Sequence, residues 1–109
     1  MIESNLLKNI AIFKADSWLT RLVGLLKHSM LPDNEAMLFE PGGSIHTIGM
    51  RFAIDVVYLE KDNKVLKIVA DMRPWRFSFA PKGTRRVLEL SSGNAKRTGI
   101  HLNQTLVFG

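Results

Sequence analysis

Two carboxylates stand inside otherwise apolar runs, Asp55 in Phe52-Ala53-Ile54-Asp55-Val56-Val57-Tyr58-Leu59 and Glu89 in Arg86-Val87-Leu88-Glu89-Leu90. If both runs are strands, alternation puts Asp55 on the face of Val57 and Leu59 and Glu89 on the face of Val87. A carboxylate in such a place must be paired, hydrogen-bonded or protonated, because burying it bare costs on the order of several kcal/mol. His46 and Arg51 lie upstream of Asp55 as candidate partners, and Arg73, Arg76, Arg85 and Arg86 are others. Two desolvated carboxylates with a histidine and an arginine nearby could act as a general acid and base beside an anion clamp, the arrangement hydrolases and lyases use. Asp55, Glu89 and His46 are then the catalytic candidates. The alternative is a structural ion pair that fixes strand register or ties down the loop after Gly43, and the lack of a nucleophile motif beside these residues favours it.

Other chemistries find little in the sequence. His28, His46 and His101 are far apart, with no His-x-His or His-x-x-x-His to set two imidazoles on one face, and there is no cysteine, so no metal site is expected. No Gly-x-Gly-x-x-Gly and no Gly-Lys-Ser/Thr phosphate loop occurs, Pro41-Gly42-Gly43-Ser44 reads as a turn, and no Gly-x-Ser-x-Gly elbow is present. Met30, Met37, Met50 and Met72 read as core filling, and no cofactor is expected.

A second pattern points to an anionic partner. Residues 1–72 hold eight Lys/Arg against nine Asp/Glu, net −1, whereas residues 73–109 hold seven against one, net +6. Within the basic third, Arg73-Pro74-Trp75-Arg76-Phe77-Ser78-Phe79-Ala80-Pro81-Lys82-Gly83-Thr84-Arg85-Arg86 interleaves five cations with three aromatics. That composition suits a surface that holds phosphates and stacks bases. The plainer reading is a solvated loop whose Trp75, Phe77 and Phe79 turn inward while its cations face water.

The chain that must position these groups has 109 residues, a net charge of +5, 46% hydrophobic and 23% charged residues, and no cysteine. Those values exclude disordered and low-complexity classes and leave length for one core, so a single domain over residues 1–109 is expected. No apolar run approaches the roughly 18 residues of a membrane span, and the absence of thiols gives no sign of an oxidising compartment. A soluble, cytoplasmic protein without a leader is the expectation.

Alternation and punctuation sketch the elements. Asn9–Lys14 and Ala36–Phe39 read as short strands, the second closed by the turn Pro41-Gly42-Gly43, and Ser44–Thr47 as extended chain. Between the first two, Asp16 or Ser17 caps a helix whose Trp18, Leu19, Leu22, Val23, Leu25 and Leu26 recur at helical spacing up to Lys27. Phe52–Glu60 and Lys64–Ala70 flank Lys61-Asp62-Asn63 as a hairpin, and the first of them, apolar on both faces, is expected at the centre of a sheet. Arg86–Leu90 is a strand, Ser91 or Ser92 to Arg97 a short helix stopped at Gly99, and Thr105–Phe108 a last strand. The sum is a mainly β (α+β) sandwich or partly closed barrel with two short helices.

Four strings in register over nearly the whole chain carry a family resemblance. Arg21-Leu22-Val23-Gly24-Leu25-Leu26 is followed by Met37-Leu38-Phe39, then by Phe52-Ala53-Ile54-Asp55-Val56-Val57-Tyr58-Leu59, then by Val87-Leu88-Glu89-Leu90-Ser91-Ser92-Gly93 with Gly99-Ile100. With this pattern the sequence resembles the domain of unknown function 192 family. The resemblance implies a small, mostly β, jelly-roll-like prokaryotic fold and supplies no catalytic residues. The middle motif, His46-Thr47-Ile48-Gly49-Met50-Arg51-Phe52-Ala53-Ile54-Asp55, is similar to one version of the family, with Ala53 where a proline is usual. Near the carboxyl end Asn103, followed by Gln104, replaces the usual glycine of a Gly-Asp turn.

These observations favour a small binding module. Its expected recognition surface joins the Gly42–Arg51 loop to the Arg73–Arg86 segment, with His46, Thr47, Arg51, Asp55, Arg73, Arg76, Arg86 and Glu89 as ligand-binding residues. The expected partner is an anionic small molecule or a protein, with nucleic acid and the acid/base enzyme as alternatives and no membrane involved. Apolar surface such as Trp75 or Phe79 leaves both monomer and homodimer open.

Overall fold

The fold is built on strands that alternate apolar side chains to two opposite faces of one sheet. In the computed structural model, which describes residues 10–15 and 31–108, these are β1 (Ala11–Ala15), β2 (Glu35–Phe39), β3 (Ile45–His46), β4 (Ile54–Leu59), β5 (Val65–Met72), β6 (Phe77–Ser78) and β7 (Arg86–Ser91). One short helix, α1 (Asn94–Arg97), follows. The expected helix from Asp16 or Ser17 to Lys27 lies outside the described residues.

The main sheet has the order β1-β2-β7-β4-β5, with β1 parallel to β2 and every other neighbouring pair antiparallel. All six residues of β4 are buried, as expected for a strand apolar on both sides. Ile54, Val56 and Tyr58 join Phe39, Ile45, Met50 and Val87 in one cluster, whereas Val57 and Leu59 join Ala36, Leu88, Leu90, Ala95 and Leu106 in the other. The β3–β6 ribbon covers the first face, where the Tyr58 hydroxyl donates to Ser78 Oγ at 2.8 Å. The helix α1 and the carboxyl-terminal segment cover the second, through Ala95, Ile100 and Leu106.

Two sheet-level expectations need correction. Among the described residues the main sheet is open, ending at β1 and β5, so no barrel closes and the jelly-roll picture reaches no further than two layers of strands. The run Thr105–Phe108 makes isolated bridging contacts, Lys64 to Thr105 among them, and lines the start of β5 with bonds such as Val65 N–H to Gln104 O at 2.7 Å. Asn103 takes a left-handed φ of 68°, a backbone state asparagine tolerates better than most residues. The buried Gln104 tightens this turn, its Oε1 accepting the His101 N–H at 2.8 Å.

Candidate functional site

Asp55 sits opposite an irregularity in the ladder. Between the pairs Ile54↔Met72 and Val56↔Val69, β5 carries one residue more than β4. Such a bulge leaves a backbone group without its ladder partner. Asp71, in the bulge at φ 52°, turns its N–H to Asp55 Oδ1 at 2.8 Å. The other oxygen, Oδ2, accepts the Ala95 N–H at 2.8 Å. That amide is in the first turn of α1, whose N-cap Gly93 has no side chain to offer, so Asp55 caps the helix from a strand 40 residues away. The fully buried carboxylate is thus hydrogen-bonded by two backbone amides, and none of the expected arginines nor His46 is its partner.

Glu89 is fully buried as well, but it projects the other way. It is paired with Val56 on β4 and Met37 on β2, which belong to the ribbon-side cluster. Asp55 is paired with Leu90, which belongs to the helix-side cluster. Cross-strand partners share a face, so the two carboxylates leave opposite faces of the sheet.

The remaining expected residues divide between structural and exposed roles. Arg86 is committed: its Nε donates to Glu40 Oε2 at 2.7 Å and its Nη1 to Asn63 Oδ1 at 2.9 Å and Lys61 O at 3.3 Å. It clasps the β4–β5 turn to the end of β2. The Arg86 hydrogen bond, followed by that of Lys14, holds the Glu40 carboxyl below its ordinary value of 4.5. Asp71 is likewise held below its ordinary 3.8, first by the Ser92 hydroxyl at 2.7 Å and then by Arg73, whose Nε lies 3.1 Å away.

Thr47 is buried and organises the turn that begins the basic-aromatic segment. Its hydroxyl donates to Arg73 O at 2.6 Å and accepts the Arg76 N–H at 2.9 Å, while its carbonyl accepts the Trp75 N–H at 3.0 Å. Pro74 and Trp75 occupy the middle of this turn, and Trp75 has a φ of 64°, a conformation that favours glycine. Beyond it the segment is extended: Ser78 is buried opposite Ile45, whereas Phe77, opposite His46, points outward. Trp75, Phe77 and Phe79 are 65%, 56% and 73% exposed, which overturns the plainer of the two readings, in which these rings turn inward. The inward places are taken by Ser78, bonded to Tyr58, and by half-buried Ala80 at the edge of the cluster. Phe77 and Phe79 meet edge to face with centroids 4.7 Å apart.

Exposed His46, Arg51, Arg73 and Arg76 belong to the ribbon and its connecting loops. Lys67 reaches across from β5, donating to Phe79 O at 3.0 Å with its ammonium 5.5 Å from the Tyr58 ring centre. Sequence reasoning singled out neither Lys67 nor exposed Ile48, and it left Asp71 beyond the end of its strand; the alternation of Lys67 with apolar neighbours was the available signal for the first. The expected residues therefore separate into an outward group, His46, Arg51, Arg73 and Arg76, and an inward group, Thr47, Asp55, Arg86 and Glu89. A trough of about 640 Å³ lined by Leu66, Lys67, Ile68, Ile100, His101 and Leu102 contains none of them. No cluster of three or more metal-ligating side chains occurs among the described residues.

A family model for DUF192, described as an uncharacterized ACR, matches residues 2–108. The chain belongs to this family. Among solved structures, this DUF192 chain is similar to a protein of unknown function from Novosphingobium aromaticivorans, with a TM-score of 0.75 and 25% identity over 86% of this chain and 71% of that one. It is also similar to a protein from Sinorhizobium meliloti described as a candidate transcription regulator, with a TM-score of 0.74 over 84% of this chain and 76% of that one; at 19% identity the likeness shows the fold alone. A search of curated proteins finds no match. No helix among the described residues is long and apolar enough to cross a membrane.

Proposed function

We propose that this DUF192 chain is a binding module for an anionic partner, and that the β3–β6 ribbon with its flanking loops is the binding surface. The observation that carries the reading is the outward set of Trp75, Phe77 and Phe79 among exposed Arg51, Arg73 and Arg76. From Met72 to Leu88 the chain has five cations and no carboxylate; Arg73 and Arg86 are paired with Asp71 and Glu40, and Arg76, Lys82 and Arg85 are exposed. Exposed rings of this size are costly to leave in water and gain most when a ligand covers them. The fixed geometry supports the same reading, because Thr47 and Tyr58 hold the ribbon in place before any ligand arrives. A cytoplasmic setting is part of the proposal, on the cysteine-free composition.

The acid/base alternative gains nothing from the geometry. Asp55 and Glu89 face apart, and both Asp55 oxygens are already engaged by backbone amides. The test is a titration with inorganic polyphosphate followed by amide chemical shifts. Shifts confined to residues 46–51 and 73–86, reversed by added salt, are expected. Saturable shifts centred elsewhere, or none at low salt, overturn the reading.

A further inference from the structure

We propose that the partner of this surface is an unpaired strand of nucleic acid, its bases laid against Trp75 and Phe79; the inference deepens the anionic-partner reading and rests on it. Charge complementarity decides between a protein and a polyanion. The centres of protein interfaces are depleted of charge, whereas here cations alternate with rings, Arg73 and Arg76 on either side of Trp75 and Lys82 after Phe79. An apolar protein face laid on this strip would strip water from those cations and give nothing in return. A phosphate backbone neutralises them and leaves flat groups for the rings.

Spacing decides between one strand and two. Phe77 and Phe79 both point outward while Ser78 between them is buried. The Phe77 and Phe79 ring centres stand 4.7 Å apart, wider than the roughly 3.4 Å repeat of stacked nucleotides. A nucleic-acid strand laid along this segment has its bases drawn apart, and each freed base face is covered by a ring instead of by its neighbour. A duplex keeps its base faces hidden and would leave the rings uncovered. The edge-to-face contact with Phe77 steadies the Phe79 ring while leaving that residue 73% exposed.

The backbone at Trp75 adds an independent observation. A left-handed φ of 64° disfavours any side chain, yet the position carries the largest one, 65% exposed and gaining little from its own protein. Strain of this kind persists where surrounding bonds enforce it, here those of Thr47, and it concentrates at ligand clamps.

The experiment compares four probes at one ionic strength by fluorescence anisotropy or competition: a thymidine oligomer, a DNA duplex of equal length, inorganic polyphosphate and poly-glutamate. The thymidine oligomer is expected to bind most tightly. Trp75→Ala and Phe79→Ala should each weaken it by roughly five- to 150-fold, the size of one lost stacking contact, while leaving polyphosphate affinity unchanged. Arg76→Ala should weaken oligomer and polyphosphate alike. Equal affinity for oligomer and polyphosphate with no effect of the ring variants overturns base stacking but keeps the anionic reading. Preference for the duplex or for poly-glutamate overturns the single-strand assignment in favour of those partners. Failure of all four probes at low salt overturns both readings. Circular dichroism of each variant separates lost binding from lost folding.

Discussion

The Thr47 hydroxyl accepts the Arg76 N–H at 2.9 Å and donates to Arg73 O at 2.6 Å, so a buried side chain just after β3 shapes the turn that exposes Trp75 just before β6. In the proposed binding reading, the buried threonine acts only through the turn it holds. Thr47→Val keeps the volume and removes both bonds, leaving the Arg76 amide and the Arg73 carbonyl partly buried and unsatisfied. A loss of about 1–3 kcal/mol in urea denaturation is expected, with faster hydrogen exchange at the Arg76 amide. Thr47→Ser, which keeps the hydroxyl, should restore the slow exchange. If valine leaves both stability and exchange unchanged, the turn is held by something else.

Trp75 is expected to show stability and binding pulling in opposite directions. Glycine accepts φ 64° without strain, against a cost of roughly 1–2 kcal/mol for a side-chain-bearing residue. Part of that gain is lost because glycine loosens the unfolded chain by about 0.5–1 kcal/mol. Trp75→Gly should therefore unfold at the same urea concentration as the parent or a slightly higher one, while losing oligomer affinity as Trp75→Ala does. A clear drop in its unfolding midpoint would mean that Trp75 is packed and that its exposure is not what it presents to a ligand.

How much of this was legible in the sequence depends on whether the partner of each residue is local. Alternation placed Asp55 and Glu89 on the correct strand faces because side-chain period is a property of the strand itself. That the two faces are opposite depends on the register Asp55↔Leu90 and Val56↔Glu89, which only strand pairing sets. The bulge at Asp71 and the distant helix amide at Ala95, the partners of Asp55, arise from tertiary packing and left no mark in the residues around Asp55. The aromatic segment was found by composition, but the direction of its rings stayed divided between an outward and an inward reading, since a short extended run beside a proline-led turn gives no alternation long enough to read. Arg86 looked like a ligand contact for the same reason: its partners, Glu40 and Asn63, are 46 and 23 residues away.

Replacing Asp55 tests the double-acceptor geometry directly. In Asp55→Asn one oxygen becomes an amide group, a donor, and it must face either the Asp71 N–H or the Ala95 N–H, each of which is also a donor. One hydrogen bond to a charged acceptor is lost and a buried amide is left opposed, so a loss of about 2–3 kcal/mol is expected. The change should appear as local exchange at Asp71 or Ala95 as well as a lower urea midpoint. A variant as stable as the parent would contradict the structural role and return Asp55 to the list of chemically active groups.

Acid should weaken the protein through Glu40 and Asp71. Both folded pKa values lie below their ordinary values of 4.5 and 3.8, so the unfolded chain binds protons first as pH falls. The stability these groups supply is present in full above those values and is lost progressively as pH drops through them. The urea midpoint should accordingly be level above about pH 5 and decline below it. Glu40→Gln should flatten the upper part of that decline, and a decline unchanged in Glu40→Gln would show that its bond to Arg86 does not contribute.

The two glycines that begin the ribbon should respond in opposite directions. A methyl group on Gly42 would stand 2.7 Å from Arg86 C, 2.7 Å from Val87 N and 2.8 Å from Val87 Cγ2, and two of these are backbone atoms in a buried strand. The Gly42 N–H donates to Arg85 O at 2.8 Å, so relief of the clash means breaking that bond and lifting the loop off β7. Gly42→Ala is expected to cost about 1–3 kcal/mol, as overpacking does. Nothing lies within 4 Å of a methyl on Gly43, whose φ is not left-handed, so Gly43→Ala should stabilise by about 0.4–1 kcal/mol through the unfolded chain. Because Gly42 anchors the approach to β3, its alanine variant should also loosen the ribbon and weaken oligomer binding, whereas the Gly43 variant should bind as the parent does. Equal effects of the two substitutions would mean that a methyl group at position 42 does not meet the β7 backbone.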